Sequence, residues 1–325
     1  MILQIPLNLL QEIHLRKMGL LLPDEKILEY SKAGEGNMNV VVRLKTDTRS
    51  IILKQSRPFV NKYPTIPAPL GRIFIEEEYY RIINKHTFLS GFTPNIIARD
   101  KRSHLVAMDD LGIGADFLGI YQDQINLSPA EIHSLVDYLL TLHQLEVQNF
   151  PDNIEMKKLN HEHIFIYPFM EFNGFDLDIV QPGLQAMSMK FKTDLKLKNA
   201  VKTLGKRYLE KGKHLLHGDF YPGSWIRVHS GLKVIDPEFA FMGDAEFDLA
   251  VFIAHLKMAK TNPEIIATIK NQYASKSSLD KKLLNKYTGT EMLRRLIGLA
   301  QLPLSMTLEE KSKLSEEARN LILKP

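Results

Sequence analysis

The sequence predicts an α+β fold of two lobes, a small β-rich N-lobe over residues 1–108 and a larger, mainly helical C-lobe over residues 109–325. Three observations predict it. The first third alternates Val- and Ile-rich runs with turns. Most of the remainder repeats apolar residues at helical spacing. One short β-rich segment, Leu215 to Ile235, interrupts those helices. At 325 residues the chain is long enough for two lobes with a sizeable core.

From the N-terminus, Met1 to Leu10 is apolar, lacks a basic leader and a small-residue cleavage site, and is followed by Glu12. It reads as the start of an amphipathic helix, not a signal peptide. Ile27 to Lys32 reads as a strand, 34–37 as a glycine-rich turn, and Asn39 to Thr46 with Ser50 to Gln55 as a hairpin pair. A loop punctuated by Pro58, Pro64, Pro67 and Pro69 precedes a helix over Arg72 to Leu89, stopped near Gly91 and Pro94. Two strands follow, Ile96 to Arg99 and His104 to Met108. Met108 to Leu111 joins the lobes. In the C-lobe, Ser128-Pro129-Ala130-Glu131 is a capping box with proline at the first helical position. Ile132, Leu135, Val136, Leu139 and Leu142 then fall on one helix face, and 307–310 repeats the capping pattern before the last helix.

Composition narrows the chemistry. No cysteine is present, which excludes disulfide scaffolds, thiolate nucleophiles and Cys-based zinc sites. No apolar run approaches 18 residues, so no membrane span is expected. With no targeting segment the expected address is cytoplasmic. The formal charge is only +4. The densest basic stretch, Lys190 to Lys213, reads as a solvated helix face, and with no known nucleic-acid module evident no nucleic-acid partner is expected. The sequence leaves a homodimer open. His161-Glu162-His163 has no third ligand nearby and reads as a polar loop. Trp225, Phe239 and Phe241 read as packing residues.

The chemistry concentrates in His217-Gly218-Asp219, Ser224 and Asp236-Pro237-Glu238. Phosphoryl transfer needs phosphates held in place, metal ions across them, and a group that orients the attacking hydroxyl. Asp219, in a loop after a short strand, can take a hydroxyl proton. Asp236 and Glu238, two residues apart after a strand, can serve one magnesium ion, with Ser224 adding an oxygen. In the N-lobe, the loop with Gly34, Gly36, Asn37 and Asn39 can cover ATP phosphates with backbone N–H groups. Lys54 stands in an otherwise apolar strand, and Glu76, Glu77 and Glu78 open the next helix. Glu76 is the expected partner of Lys54, and the other two are expected to be solvated.

These residues resemble the aminoglycoside phosphotransferase and choline kinase superfamily of protein kinase-like folds, and within it most closely the 5-methylthioribose kinases. The matching pieces are 34–39, Ile52-Leu53-Lys54-Gln55 with Pro58 and Val60, Tyr63-Pro64, Met108-Asp109-Asp110-Leu111, 217–219 through Gly223-Ser224, 236–241, Phe247-Asp248 and 294–300. They run from about residue 27 to about residue 303. The resemblance implies an ATP- and magnesium-dependent kinase that phosphorylates a small-molecule acceptor, a sugar, converting 5-methylthioribose to 5-methylthioribose 1-phosphate. It implies Asp219 as catalytic base at the substrate, Asp236, Glu238 and Ser224 at the metal, and Lys54 with Glu76 at the phosphates. Met108, Asp109 and Leu111 would meet adenine through backbone groups. Arg294 and Arg295 would donate to ribose oxygens, one of them at most facing the substrate directly, since adjacent helix residues point about 100° apart.

The chain departs from the family in carrying Tyr221-Pro222 where the family has His-Thr, close to the acceptor, and in being shorter, with the loss expected in the C-lobe helices that wall the substrate pocket. Two other readings follow. One is a related phosphotransferase acting on choline, homoserine, an aminoglycoside or another sugar. The other is a non-catalytic nucleotide-binding module, which the presence of Lys54, Asp219, Asp236 and Glu238 together argues against.

Overall fold

A computed structural model describes residues 1–34 and 38–325. The chain divides into two compact units, residues 1–114 with 228–240, and residues 115–227 with 241–325.

The first unit is built on a five-stranded antiparallel sheet. Its strands are β1 (Ile27–Lys32), β2 (Asn39–Thr46), β3 (Ser50–Ser56), β6 (Ile96–Asp100) and β7 (Leu105–Asp109), in the order β1-β2-β3-β7-β6. Side chains alternate across a strand, so β3 presents two different faces. Ile51 and Leu53 join Val42, Leu44, Leu105 and Ala107 in a buried cluster closed by Leu3, Leu15, Leu20 and Leu21. Lys54, on the opposite face, meets α2 (Arg72–Ile83).

The N-terminal helix is shorter than expected. Helix α1 spans only Leu9–Lys17, because Asn8 and Gln11 form a capping box that fixes its start. Met1 and Leu3 instead lie along the sheet, exchanging hydrogen bonds with the buried Gln55 amide. The proline-rich loop contains a small hairpin, β4 (Phe59–Val60) with β5 (Tyr63–Pro67). The expected helix over 72–89 breaks into α2 and α3 (Thr87–Ser90). Asn84 ends α2 by donating to the Pro94 carbonyl and accepting from Thr93, which turns the chain before α3.

Residues 228–240 group with this unit. The Val234 amide donates to Phe92 O, the Lys233 ammonium to Gly91 O, and the Asp236 amide to the Tyr80 hydroxyl. This anchoring places Asp236 and Glu238 beside α2.

The second unit is helical: α4 (Pro129–His143), α5 (Ile154–His161), α6 (Leu184–Lys192), α7 (Leu195–Leu209), α8 (Ala245–Met258), α9 (Pro263–Lys276), α10 (Lys281–Ile297) and α11 (Leu308–Leu323). Both expected capping boxes form, Ser128 with Glu131 and Thr307 with Glu310. Helices α8 and α10 are buried around most of their circumference, as expected for central helices. Gly289 permits the close crossing of α10 with α11, since a Cβ there would overlap the Ala318 carbonyl. Trp225 is fully buried among Phe117, Phe220 and Phe252. His161-Glu162-His163 is helical rather than a loop, ending α5 and entering a π-helical turn at Glu162–Ile166. In the basic stretch Lys192 departs from a solvated face, being fully buried. Among the described residues no helix is long and apolar enough to cross a membrane.

Candidate active site

Two clusters of charged side chains stand out, one in each unit. In the first unit, β3 carries Lys54 opposite Val41 and Val106, which fixes its register. The Lys54 ammonium, 3 % exposed, donates to Glu76 Oε1 at 2.8 Å and to Asp236 Oδ1 at 2.5 Å. Burial favours the neutral amine, but Asp236, Glu76 and Glu238 outweigh it and hold Lys54 firmly charged. Glu76 is the acid of the 76–78 run that meets Lys54. Glu77 is not solvated as expected. It is 1 % exposed and paired with Arg81 and Arg99, because it points one helical step further round α2.

Arg72 gave no sequence signal beyond a helix start. Its buried guanidinium lies 3.2 Å from Glu238 Oε2 and donates to the carbonyls of Arg57, Pro69 and Met38. Asn39 donates from Nδ2 to Glu238 Oε2 at 3.0 Å, while its buried Oδ1 has no hydrogen-bond partner. Asp236 sits in the left-handed region at φ 65°, a conformation that costs a non-glycine residue about 1–2 kcal/mol. Its side chain is 46 % exposed. Burial pushes the Glu76 and Glu238 carboxyls upward, with neighbouring carboxylates adding to the effect. Three carboxylates therefore face one lysine and one arginine, an excess of negative charge.

That donor set suits a hard divalent cation. Among the described residues no three Asp, Glu or His side chains converge as a metal cage. Magnesium ordinarily takes only one or two protein carboxylates and completes its shell with phosphates and water. The Asn39 Oδ1 and the half-exposed Asp236 are further oxygens of the right kind.

Of the other residues expected at the nucleotide, Gly34 has a positive φ of 78°. Gly36 and Asn37 lie outside the described residues. Met108 is buried and paired with Ile52. The Asp109 carboxylate accepts from the side chain of Asn95. Leu111 lies two residues past the end of β7, and Asp110 between them is fixed by Arg43 and Ser50.

In the second unit the His217-Gly218-Asp219 loop follows the strand His214–Leu216. Asp248, fully buried, accepts from the amides of His217 (2.6 Å) and Gly218 (2.9 Å). The Ser224 hydroxyl donates to the Asp219 carbonyl at 2.8 Å. The loop is thus held from both ends. Burial raises the Asp219 carboxyl above its ordinary range, partly offset by Arg295 and Arg294. Arg295 Nη2 lies 3.7 Å from Asp219 Oδ1, an oxygen with no hydrogen-bond partner.

Both arginines are buried, and Arg295 is the one that approaches Asp219. Glu291, one turn earlier on α10, pairs with Arg294 at i+3 and Arg295 at i+4, which draws the two guanidinium groups to one side. Arg294 also approaches Asn160 Oδ1, whose Nδ2 reaches the Gly218 carbonyl. Tyr221 lays its ring 5.1 Å from the Arg295 guanidinium and 5.3 Å from His255. Gly223 leaves room for that ring, since a Cβ there would overlap the Tyr221 phenol. Glu291, His255, Asn160 and Arg72 were all missed by sequence reasoning.

Residues 29–281 match the phosphotransferase enzyme family, and the chain belongs to that family. It is similar to the methylthioribose kinase of Exiguobacterium sibiricum, 28 % identical over 295 residues that cover 85 % of this chain and 74 % of that protein. It is also similar to methylthioribose kinase 1 of Oryza sativa, 26 % identical over 249 residues covering 71 % of this chain and 56 % of that one. The chain spans little more than half the length of several such relatives. Among solved structures, choline kinase LicA from Streptococcus pneumoniae superposes with a TM-score of 0.51 at 16 % identity, covering 97 % of this chain and 99 % of that one. The fold is therefore protein kinase-like, as expected.

Proposed function

We propose that this phosphotransferase is an ATP-dependent small-molecule kinase that converts 5-methylthioribose to 5-methylthioribose 1-phosphate. The observation that carries the acceptor class is the cluster around Asp219. Its two carboxylates, Asp219 and Glu291, are balanced by Arg294 and Arg295, so the charges cancel. Such a cluster favours an uncharged polyhydroxyl acceptor. A cationic acceptor wants an excess of carboxylates. The similarity to methylthioribose kinases narrows the sugar.

In the proposed reaction Asp219 orients the acceptor hydroxyl and takes its proton as the oxygen bonds to the γ-phosphorus. The bond from that phosphorus to the β–γ bridging oxygen breaks, and ADP leaves. Lys54, fixed by Glu76, holds the α- and β-phosphates and offsets charge there. Gly34 and Asn39 cover the phosphates, while Met108, Asp109 and Leu111 meet the adenine. Arg294 and Arg295 donate to sugar oxygens, and Tyr221 walls the acceptor. Asp236 and Glu238, with Ser224, would hold magnesium, which would supply neutralisation of the phosphate charge.

Asp219→Asn tests the assignment. It should lose most turnover while ATP still binds, and full activity in a correctly folded variant would overturn the base. A second acceptor has one specific observation behind it. Tyr221 lays its aromatic ring against Arg295 where the family resemblance implies His-Thr, and such a ring suits stacking on a different sugar.

A further inference from the structure

A carboxylate beside an arginine tends to collapse into a bidentate ion pair. Around Asp219 that collapse has not happened. Arg295 Nη2 stops 3.7 Å short of Asp219 Oδ1. The reason lies behind the arginine. Glu291 Oε1 accepts Arg295 Nε at 2.7 Å, which pins the guanidinium by its inner nitrogen. His255 Nε2 lies 3.1 Å from the same oxygen, and the Tyr121 hydroxyl lies 2.5 Å from His255 Nδ1. Tyr121, His255, Glu291 and Arg295 are all buried, His255 completely and Glu291 at 1 % exposure. Burial lowers His255 to about 4 against the Glu291 hydrogen bond, which favours a neutral imidazole. In that form Tyr121 donates to Nδ1, and Nε2–H donates to Glu291.

We infer that Glu291 and His255, backed by Tyr121, are positioning residues that hold Arg295 off the catalytic carboxylate of Asp219, leaving room for an acceptor hydroxyl between them. The inference rests on the reading of Asp219 as the base. None of the three residues touches the reacting atoms. They act through Arg295, whose Nη1 reaches the Ala300 carbonyl at 3.5 Å and whose Nη2 remains available for an acceptor oxygen, while Asp219 Oδ1 stays open for the hydroxyl proton. The device also explains why Glu291 is tolerated in the middle of α10. Its carboxylate is buried, yet the two arginines and His255 hold it ionised.

The test compares Glu291→Gln, Glu291→Asp, His255→Gln and His255→Leu in the full chain. Glu291→Gln frees Arg295 to close on Asp219. Its kcat/KM for the acceptor should fall by about 100-fold, the scale of a 1 Å misplacement, with ATP affinity within twofold of wild type. Glu291→Asp should recover part of that loss. His255→Gln keeps a donor to Glu291 and should stay near wild type, whereas His255→Leu should behave as a weaker Glu291→Gln. A crystal structure of Glu291→Gln gives a readout independent of any acceptor, with Arg295 expected within hydrogen-bond distance of Asp219. An Arg295 still standing off in that structure would overturn the inference. So would acceptor kinetics within twofold of wild type for both Glu291→Gln and His255→Leu, or losses shared equally with ATP affinity. If Glu291→Gln does not fold, the two His255 variants decide alone. Asp219→Asn assayed in parallel separates the two readings, because retained turnover there removes the base assignment, whereas the Arg295 position in Glu291→Gln judges the positioning role.

Discussion

Lys54 Nζ lies 2.6 Å from Glu76 Oε2, an ion pair joining strand β3 to helix α2 with both side chains almost fully buried. Breaking a buried pair leaves one charge without compensation. Lys54→Met should therefore destabilise the fold by about 3–5 kcal/mol as well as weakening ATP binding. Adding Glu76→Gln should restore much of the thermal stability and none of the activity. Thermal melts with nucleotide titration check both, and a single variant as stable as wild type would contradict the account.

The pair also marks what was legible in the sequence. A lysine in an apolar strand followed by a run of acids announced the partnership, and helical phase decided it, since Glu76 faces the sheet while Glu77 turns toward Arg81 and Arg99. The sheet strands were readable from their alternation, and the motif loops from their spacing. What could not be read depends on packing. Glu291 and His255 sit in two different helices, 36 residues apart, and only the packing of α8 on α10 brings them together. Asp248 was visible as part of a string, but its role as acceptor for the His217 and Gly218 amides was not. The break between α2 and α3 has no proline or glycine to signal it and is made by Asn84 reaching forward to Pro94.

Asp219→Asn should lower kcat by about 100- to 10,000-fold, the range assigned to general acid–base groups. The amide keeps the size of the carboxylate, so the melting temperature should stay close to wild type. Steady-state kinetics with circular dichroism decide the point.

Gly223→Ala places a methyl group against the Tyr221 phenol. The ring must move off Arg295, and the acceptor KM should rise several-fold with the ATP KM unchanged. Tyr221→Ala in the same chain removes the clash, so the double variant should match Tyr221→Ala alone. Additive losses would point to a different role for Gly223.

Acid stability should depend on Glu25. Burial pushes its carboxyl upward, but hydrogen bonds from the Leu22 amide, Thr48 and Arg49 overcome this and lower it to about 2. Its folded pKa thus lies below its unfolded one. The stabilisation is present in full above the unfolded value, near 4.3, and is lost as pH falls toward 2. Glu25→Gln should cost about 1.5–3 kcal/mol at pH 7 and flatten the loss of stability between pH 5 and 2. Denaturant melts across that range would show an unchanged slope if the account is wrong.

The most direct test of the central claim is ADP release with magnesium and ATP against 5-methylthioribose, ribose, choline, homoserine and kanamycin. The account predicts turnover with 5-methylthioribose well above every other acceptor. Faster turnover with choline or kanamycin, or silence with 5-methylthioribose while ATP is bound, would contradict it.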